Sequence, residues 1–332
     1  MRAKNHDRSE FLTPRNSVYR GWIEKFTTDE LVRDTGTGDV TTEALFGRKK
    51  KGNVLSANAL IVAKATGIVA GLQEVDYFLL KGGADMRPGI GPLRVKFLKR
   101  DGEKVRRGDC LLELSGDLRD ILRVERVVLN LIGRMSGVAT QAESMVRMIK
   151  RVAPNVVVTP TRKTLWGLLD KRACSLGGAG THRLGLYDAI LIKDNHLAAL
   201  DGDIEKALER AYAYVVLRPT LQRLACIEIE VDRPRDAVRA AKWITRKTNG
   251  ATRSQMVPPL VIMLDNFTPR RVRRTLSILK KKKLRTAVTI EVSGGITRKN
   301  FTSFVSTGVD IVSICALTHS AASFDVSLAM LL

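Results

Sequence analysis

Aromatic residues make up only 5% of this 332-residue chain, and histidine and cysteine occur four times each. Proteins that stack bases on a side-chain platform draw on many aromatic rings, so this scarcity argues against such a platform. Cys110, Cys174, Cys226 and Cys315 lie far apart, without the paired spacings of a zinc site or a redox motif. They read as scattered thiols of a reducing compartment. No apolar run reaches the roughly 18 residues needed to cross a bilayer. The opening residues MRAKNHDRSEFLTPRNS lack the apolar stretch of a secretory signal. A cytoplasmic location is expected, with no membrane partner.

What the chain has in abundance is positive charge. Its 56 basic and 34 acidic residues give a formal charge of +22. Such a field draws in phosphates and other anions but says nothing about fold. The basic runs at Arg48–Lys51 and Lys280–Lys283 read most simply as solvated faces, and no motif points to a specific nucleic-acid partner. At 44% hydrophobic and 27% charged, the composition is that of a globular protein, and a length prior of roughly 150 residues per domain suggests two domains.

The first 20 residues are polar, contain Pro14, and read as a loose arm. A short helix is expected over Trp22–Val32, then a glycine-rich turn in which Asp39, Thr41 and Thr42 can cap the next segment. Short strands and glycine turns follow to Leu114, which reads as a small α+β domain. Leu122–Lys150 carries apolar residues near the helical period, with Gly133 and Gly137 allowing close packing. Beyond it, apolar runs at Val156–Val158, Ala189–Ile192, Ile227–Val231, Val261–Leu264, Val288–Val292 and Val309–Ile314 alternate with helical patterns. Alternating βα units imply a parallel sheet, and continuous apolar strands suit burial on both faces. A closed barrel and an open doubly wound sheet both satisfy that pattern. Nearly every strand ends in polar residues, and in a barrel those ends converge on one mouth. The expectation is therefore an α/β fold with a barrel of about six strands, closed or incomplete.

Arg162, Lys163, His182, Arg183 and Lys193 would give that mouth a cationic pocket. Arginine can clamp a carboxylate with two parallel hydrogen bonds, and lysine acts as a mobile point charge. Glu230 and Asp265 end neighbouring strands among these cations. Buried carboxylates need a cation or a metal, and hard oxygen donors beside a phosphate site suggest Mg²⁺. Glu228 projects to the same face of its strand as Glu230. Ser293-Gly294-Gly295, between a strand and a helix, exposes backbone N–H groups suited to a phosphate. A zinc triad of His182, His196 and His319 is disfavoured by its spacing and its cationic company.

These residues carry a resemblance that runs from Asp34-Thr-Gly-Thr-Gly-Asp39 to about Asp325. It includes Glu125-Arg126, Thr161-Arg-Lys-Thr164, His182-Arg183, Ile192-Lys-Asp-Asn-His196, Glu228-Ile-Glu230, Leu264-Asp-Asn266, Ser293-Gly-Gly295 and Ala316-Leu-Thr-His-Ser320. In these motifs and their order the chain resembles the quinolinate phosphoribosyltransferase family. The resemblance implies an incomplete six-stranded TIM-like α/β barrel over residues 131–317. It also implies an N-terminal α+β open-faced sandwich over 21–130, completed by 318–332. The implied reaction joins quinolinate to phosphoribosyl pyrophosphate, giving nicotinate mononucleotide, pyrophosphate and CO₂ with Mg²⁺ in de novo NAD biosynthesis. Lys163, Glu230 and Asp265 are the implied catalytic residues, the last two also metal ligands. Arg162, His182, Arg183 and Lys193 are implied in substrate binding, and Ser293, Gly294, Gly295 and His319 in phosphate binding. Arg126 is implied to reach a neighbouring active site in a homodimer or higher oligomer. Departures from the family pattern include Pro160, Thr181, Cys315, an insertion at 247–258, and Leu165-Trp166, which is expected to narrow the pocket. Two alternatives stay open: a related phosphoribosyltransferase for another aromatic acid, and a basic nucleic-acid-binding barrel.

Overall fold

An asparagine starts the first long helix. The Asn16 side chain accepts hydrogen bonds from the N–H groups of Val18 and Tyr19, capping α1 (Ser17–Thr35). Four-residue spacing then puts Tyr19, Ile23, Thr27 and Leu31 on one buried face. The helix begins earlier than the hydrophobic pattern suggested because the cap, not the apolar stripe, sets its start. The structure, a computed structural model, describes residues 4–50, 53–82, 84–250 and 258–331. Among the described residues, no helix is long and apolar enough to cross a membrane.

Asp39 caps α2 (Val40–Phe46) through a bond from the Thr42 N–H. Strands β1 (Ser56–Ala63), β2 (Gly67–Ile68), β3 (Arg94–Phe97), β4 (Lys104–Val105) and β5 (Cys110–Asp117) follow, with α3 (Leu72–Asp76) between β2 and β3. β1 pairs antiparallel with β5, which pairs with β3, and β2 pairs with β4. Inward residues of β1 alternate, as a sheet with one buried face requires: Ala59, Ile61 and Ala63 have no exposed surface. Helix α4 (Leu118–Val152) runs for 35 residues. A Cβ at Gly137 would lie 2.0 Å from the Ala322 carbonyl oxygen, so only glycine admits that backbone approach.

Strand β6 (Val157–Thr159) opens the second sheet, followed by α5 (Leu168–Leu176) and β7 (Ile190–Ile192). Then come α6 (Asp194–Ala198), α7 (Ile204–Val216), β8 (Ile227–Val231), α8 (Pro234–Gly250), β9 (Leu260–Asp265) and α9 (Pro269–Lys281). The series ends with β10 (Thr289–Ser293), α10 (Phe301–Val305), β11 (Ile311–Ser313) and α11 (Ala316–His319). All pairings are parallel, in the order β6-β11-β10-β9-β8-β7. β6 and β7 stand at the two edges, so the sheet is open and the barrel incomplete. Its strands begin within one or two residues of the positions read from the sequence. Helix α9 shows why the helices were legible: Val272, Thr275, Leu276 and Leu279 form the buried stripe, and arginines and lysines occupy much of the remaining surface. Most of the insertion expected at 247–258 lies outside the described residues. The last strand, β12 (Val326–Leu331), returns to the first sheet and pairs antiparallel with β1.

Close contacts divide the chain into two units. One comprises residues up to Arg8, Ser144–Leu165 and Ala179–Ser320, and holds the parallel sheet. The other comprises Ser9–Glu143, Trp166–Gly178 and Ala321–Leu332. In the segment expected as a loose arm, Lys4–His6 and Ser9–Phe11 form single 3₁₀ turns. His6 and Leu12 are buried there.

Candidate active site

Each strand of the parallel sheet delivers functional groups at or just past its C-terminal end. β6 leads into Thr161, Arg162 and Lys163, and β7 into Lys193. β8 carries Glu230, β9 ends at Asp265 before Asn266, and β10 ends at Ser293 before Gly294 and Gly295. With His182 and Arg183, these groups line a cavity of about 320 Å³. His319, in the same unit, does not line it. Arg126 lies on α4 with its side chain 58% exposed, 4.0 Å from Glu125. His319 is exposed on α11, with its ring nitrogen against the Ser320 hydroxyl.

Local hydrogen bonds fix the loops. The Thr318 hydroxyl donates to the Lys163 carbonyl (2.8 Å), and the Lys163 N–H donates to Thr161 Oγ1 (3.1 Å). Lys193 precedes α6, where its N–H donates to His196 Nδ1 (2.9 Å), so His196 is a capping residue. Gly294 (φ +92°) and Gly295 (φ +62°) occupy the left-handed region, and a Cβ at Gly294 would strike Asn266 Oδ1 at 2.2 Å. Asn266 (φ +53°) and His182 (φ +53°) adopt the same unusual backbone without the excuse of glycine. Such strain concentrates where a site over-determines its geometry.

The charges act on one another. Burial, then the nearby Arg162 guanidinium, lowers the pKa of Arg183. Burial raises the pKa of Glu230, and the Asp265 carboxylate adds to the effect. Asp265 is also raised by burial, though Lys193 and Lys163 oppose it. The half-buried Glu230 and Asp265 therefore gain from any added cation.

A second group adjoins the cavity, in which His182 and Glu228 are marked by the sequence but His6 and Glu291 are not. His6, His182, Glu228 and Glu291 are all buried, and each offers one ligand atom within 4.8 Å of the others, a set that could hold a metal ion. The His6 carbonyl accepts the N–H groups of Thr181 and His182 (2.8 Å each), tying the chain's start to the His182 loop. His182 Nδ1 accepts the Arg183 N–H (2.7 Å), while Nε2 faces Glu291 (3.3 Å) and Glu228 (3.4 Å). Both imidazole nitrogens of His182 are thus engaged within the protein. Burial holds His6 down to about 4. Burial and the neighbouring Glu291 carboxylate push Glu228 well up. Burial also disfavours ionised Glu291, but His182, His6 and the Ser313 hydroxyl outweigh it and hold that group low. A lone glutamate in the apolar run of β10 was the available signal for Glu291. Nothing local could have marked His6, whose partners are far along the chain.

The structure also bears on Leu165-Trp166. The Trp166 ring packs against Phe26 at 4.4 Å, and Leu165 is 68% exposed and does not line the cavity. Cys315 does line it, and its sulfur accepts from Thr161 Oγ1 at 3.3 Å.

An open parallel α/β sheet whose strand ends gather cations, two carboxylates and a glycine turn defines an α/β-barrel enzyme for small polyanions. Family models for the N-terminal and C-terminal domains of quinolinate phosphoribosyl transferase match residues 39–136 and 138–329. The chain belongs to the quinolinate phosphoribosyltransferase family. It is 37% identical to the probable carboxylating nicotinate-nucleotide pyrophosphorylase of Methanothermobacter thermautotrophicus, over 90% of this chain and 96% of that one. It is 34% identical to the Mycobacterium leprae enzyme of that name, over 87% and 90%. The solved nicotinate-nucleotide pyrophosphorylase of Francisella tularensis superposes with a TM-score of 0.73 at 28% identity, covering 94% of this chain and 96% of that one.

Proposed function

We propose that this chain is a carboxylating nicotinate-nucleotide pyrophosphorylase. It joins quinolinate to phosphoribosyl pyrophosphate, releasing nicotinate mononucleotide, pyrophosphate and CO₂ in NAD biosynthesis. The observation that carries the reading is the meeting of Arg162, Lys163, Arg183 and Lys193 with Glu230 and Asp265 in one cavity.

In this reading the cations hold both quinolinate carboxylates and set the ring nitrogen against the anomeric carbon of the ribose. Orientation of this kind supplies several kcal/mol of a barrier. Arg183 serves as a bidentate clamp, and Lys163 follows charge as it develops. His182, with both nitrogens engaged, acts by fixing the Arg183 backbone. Glu230 and Asp265 face the ribose, where their negative charge favours the positive charge that grows at the anomeric carbon. Their half-buried, mutually repelling oxygens fit a hard cation. They would hold Mg²⁺, which supplies neutralising charge for the departing pyrophosphate. Ser293, Gly294 and Gly295 present backbone to a phosphate, with His319 at the same end. Once the ring nitrogen carries the ribose it is cationic, so the 2-carboxylate leaves as CO₂ and a proton takes its place. No covalent nucleophile is needed.

The biological unit in this reading is a cytoplasmic homodimer in which the exposed Arg126 serves the partner's site. The sandwich domain then comprises 21–130 with 318–332, and the phosphoribosyltransferase domain 131–317. A side-by-side assay with quinolinate and nicotinate tests the substrate assignment. Phosphoribosyl pyrophosphate should be consumed with quinolinate, and preference for nicotinate would overturn the assignment.

A further inference from the structure

We infer that His6, His182, Glu228 and Glu291 form a structural site for a zinc-class divalent ion, separate from any Mg²⁺ at Glu230 and Asp265. The inference does not depend on which reaction the enzyme performs.

Geometry is the first support. Zinc bonds to histidine nitrogen and carboxylate oxygen are each about 2.0–2.2 Å, so neighbouring ligand atoms of a tetrahedral site lie roughly 3.3–3.5 Å apart. Here His182 Nε2 lies 3.3 Å from Glu291 Oε1 and 3.4 Å from Glu228 Oε2. His6 Nε2 lies 3.6 Å from Glu291 Oε2. These separations are long for direct hydrogen bonds; the two from His182 match the edges of such a tetrahedron, His6 meets the other oxygen of Glu291, and with all four ligand atoms within 4.8 Å of one another an ion would draw the set inward.

Unmet bonding capacity is the second support. Both carboxylate oxygens of Glu228, and Oε2 of Glu291, are buried without a hydrogen-bond partner. Neither glutamate has exposed surface. Leaving such acceptors unpaired is costly, and one ion would engage both residues. Metal ligands bind deprotonated, so the two glutamates would bring two negative charges that one divalent ion balances, with Arg183 close to Glu228.

Ligand type selects the metal. Magnesium demands six oxygen ligands and keeps its waters, whereas two imidazoles with two carboxylates in a closed, buried set suit zinc. Cys226 Sγ, 4.0 Å from His6 Nε2, adds a soft neighbour. The consequence is architectural. The ion would join the chain's start to strands β8 and β10 and hold the His182 ring that positions Arg183.

Metal counting on untagged, full-length protein tests this. After dialysis against metal-free buffer, about one zinc per chain should remain, and Mg²⁺ should not displace it. Stripped protein given Co²⁺ alone should show the intense visible absorption of four-coordinate cobalt. His6→Ala and Glu228→Gln should each weaken zinc binding by more than about 100-fold, while Glu230→Gln retains it. Protein that holds no zinc and takes up neither Zn²⁺ nor Co²⁺ would overturn the site, as would zinc retained in both ligand variants. If a variant fails to fold, the zinc count and cobalt spectrum of the unaltered protein still decide.

Discussion

At the scale of single residues, the cavity depends on charges that cannot be exchanged for close relatives. Arg183 is largely buried beside Arg162, and the Arg183 N–H is held by His182. Replacing it with lysine keeps the charge but loses the planar fork that matches a carboxylate. Arg183→Lys should therefore raise the KM for quinolinate at least about 10-fold with the fold intact, the loss of one charge-assisted bond being about 1.5–3 kcal/mol. Lys163→Ala should lower kcat by about 100-fold or more, as expected for a group acting on transition-state charge. Steady-state kinetics with circular dichroism as a folding control checks both. Ten of the twelve positions named from the sequence line this one cavity, eight of them at or just past strand ends and His182 and Arg183 in the loop before β7. His6 was not legible, because its neighbours His182 and Glu291 are set by tertiary folding alone.

At the scale of elements, β5 and α4 meet at a tight ion pair. Asp117 accepts two bonds from the Arg119 guanidinium, at 2.9 and 2.8 Å, and these hold the Asp117 carboxyl at about 2, below its ordinary 3.8. A carboxylate lowered in the folded state stabilises above its unfolded value, and that stability is lost as pH falls through the folded one. The pair should stabilise the fold at neutral pH, a contribution that fades between about pH 4 and pH 2. Asp117→Asn should remove that part of the acid dependence in denaturant titrations. The helix and strand boundaries were readable wherever an apolar stripe or a cap marks them, as in α9. They were less readable at α1, whose start depends on Asn16. The contact of Gly137 with the Ala322 carbonyl was foreshadowed only as an allowance for close packing, since the partner segment lies far along the chain. Gly137→Ala should cost roughly 1–3 kcal/mol by overpacking, seen as a lower Tm.

At the scale of the whole molecule, the proposed dimer makes a prediction no monomer shares. Arg126→Ala and Lys163→Ala would each disable every site in a pure dimer. In a mixed dimer, one of the two sites receives an intact Arg126 and an intact Lys163. Equal mixing after subunit exchange should restore about a quarter of the unaltered activity, and no recovery would remove Arg126 from the shared site. An incomplete barrel and the return of 318–332 to the first domain were implied by the resemblance, though not the pairing of β12 with β1. Hydrophobic periodicity could not have given either, because it does not specify strand order.

The most direct test of the account is a balance of products. Purified protein with Mg²⁺, quinolinate and phosphoribosyl pyrophosphate should yield nicotinate mononucleotide, pyrophosphate and CO₂ in equal amounts, and Lys163→Ala protein should yield almost none. Nucleotide formed without CO₂, or no turnover by folded protein, would contradict it.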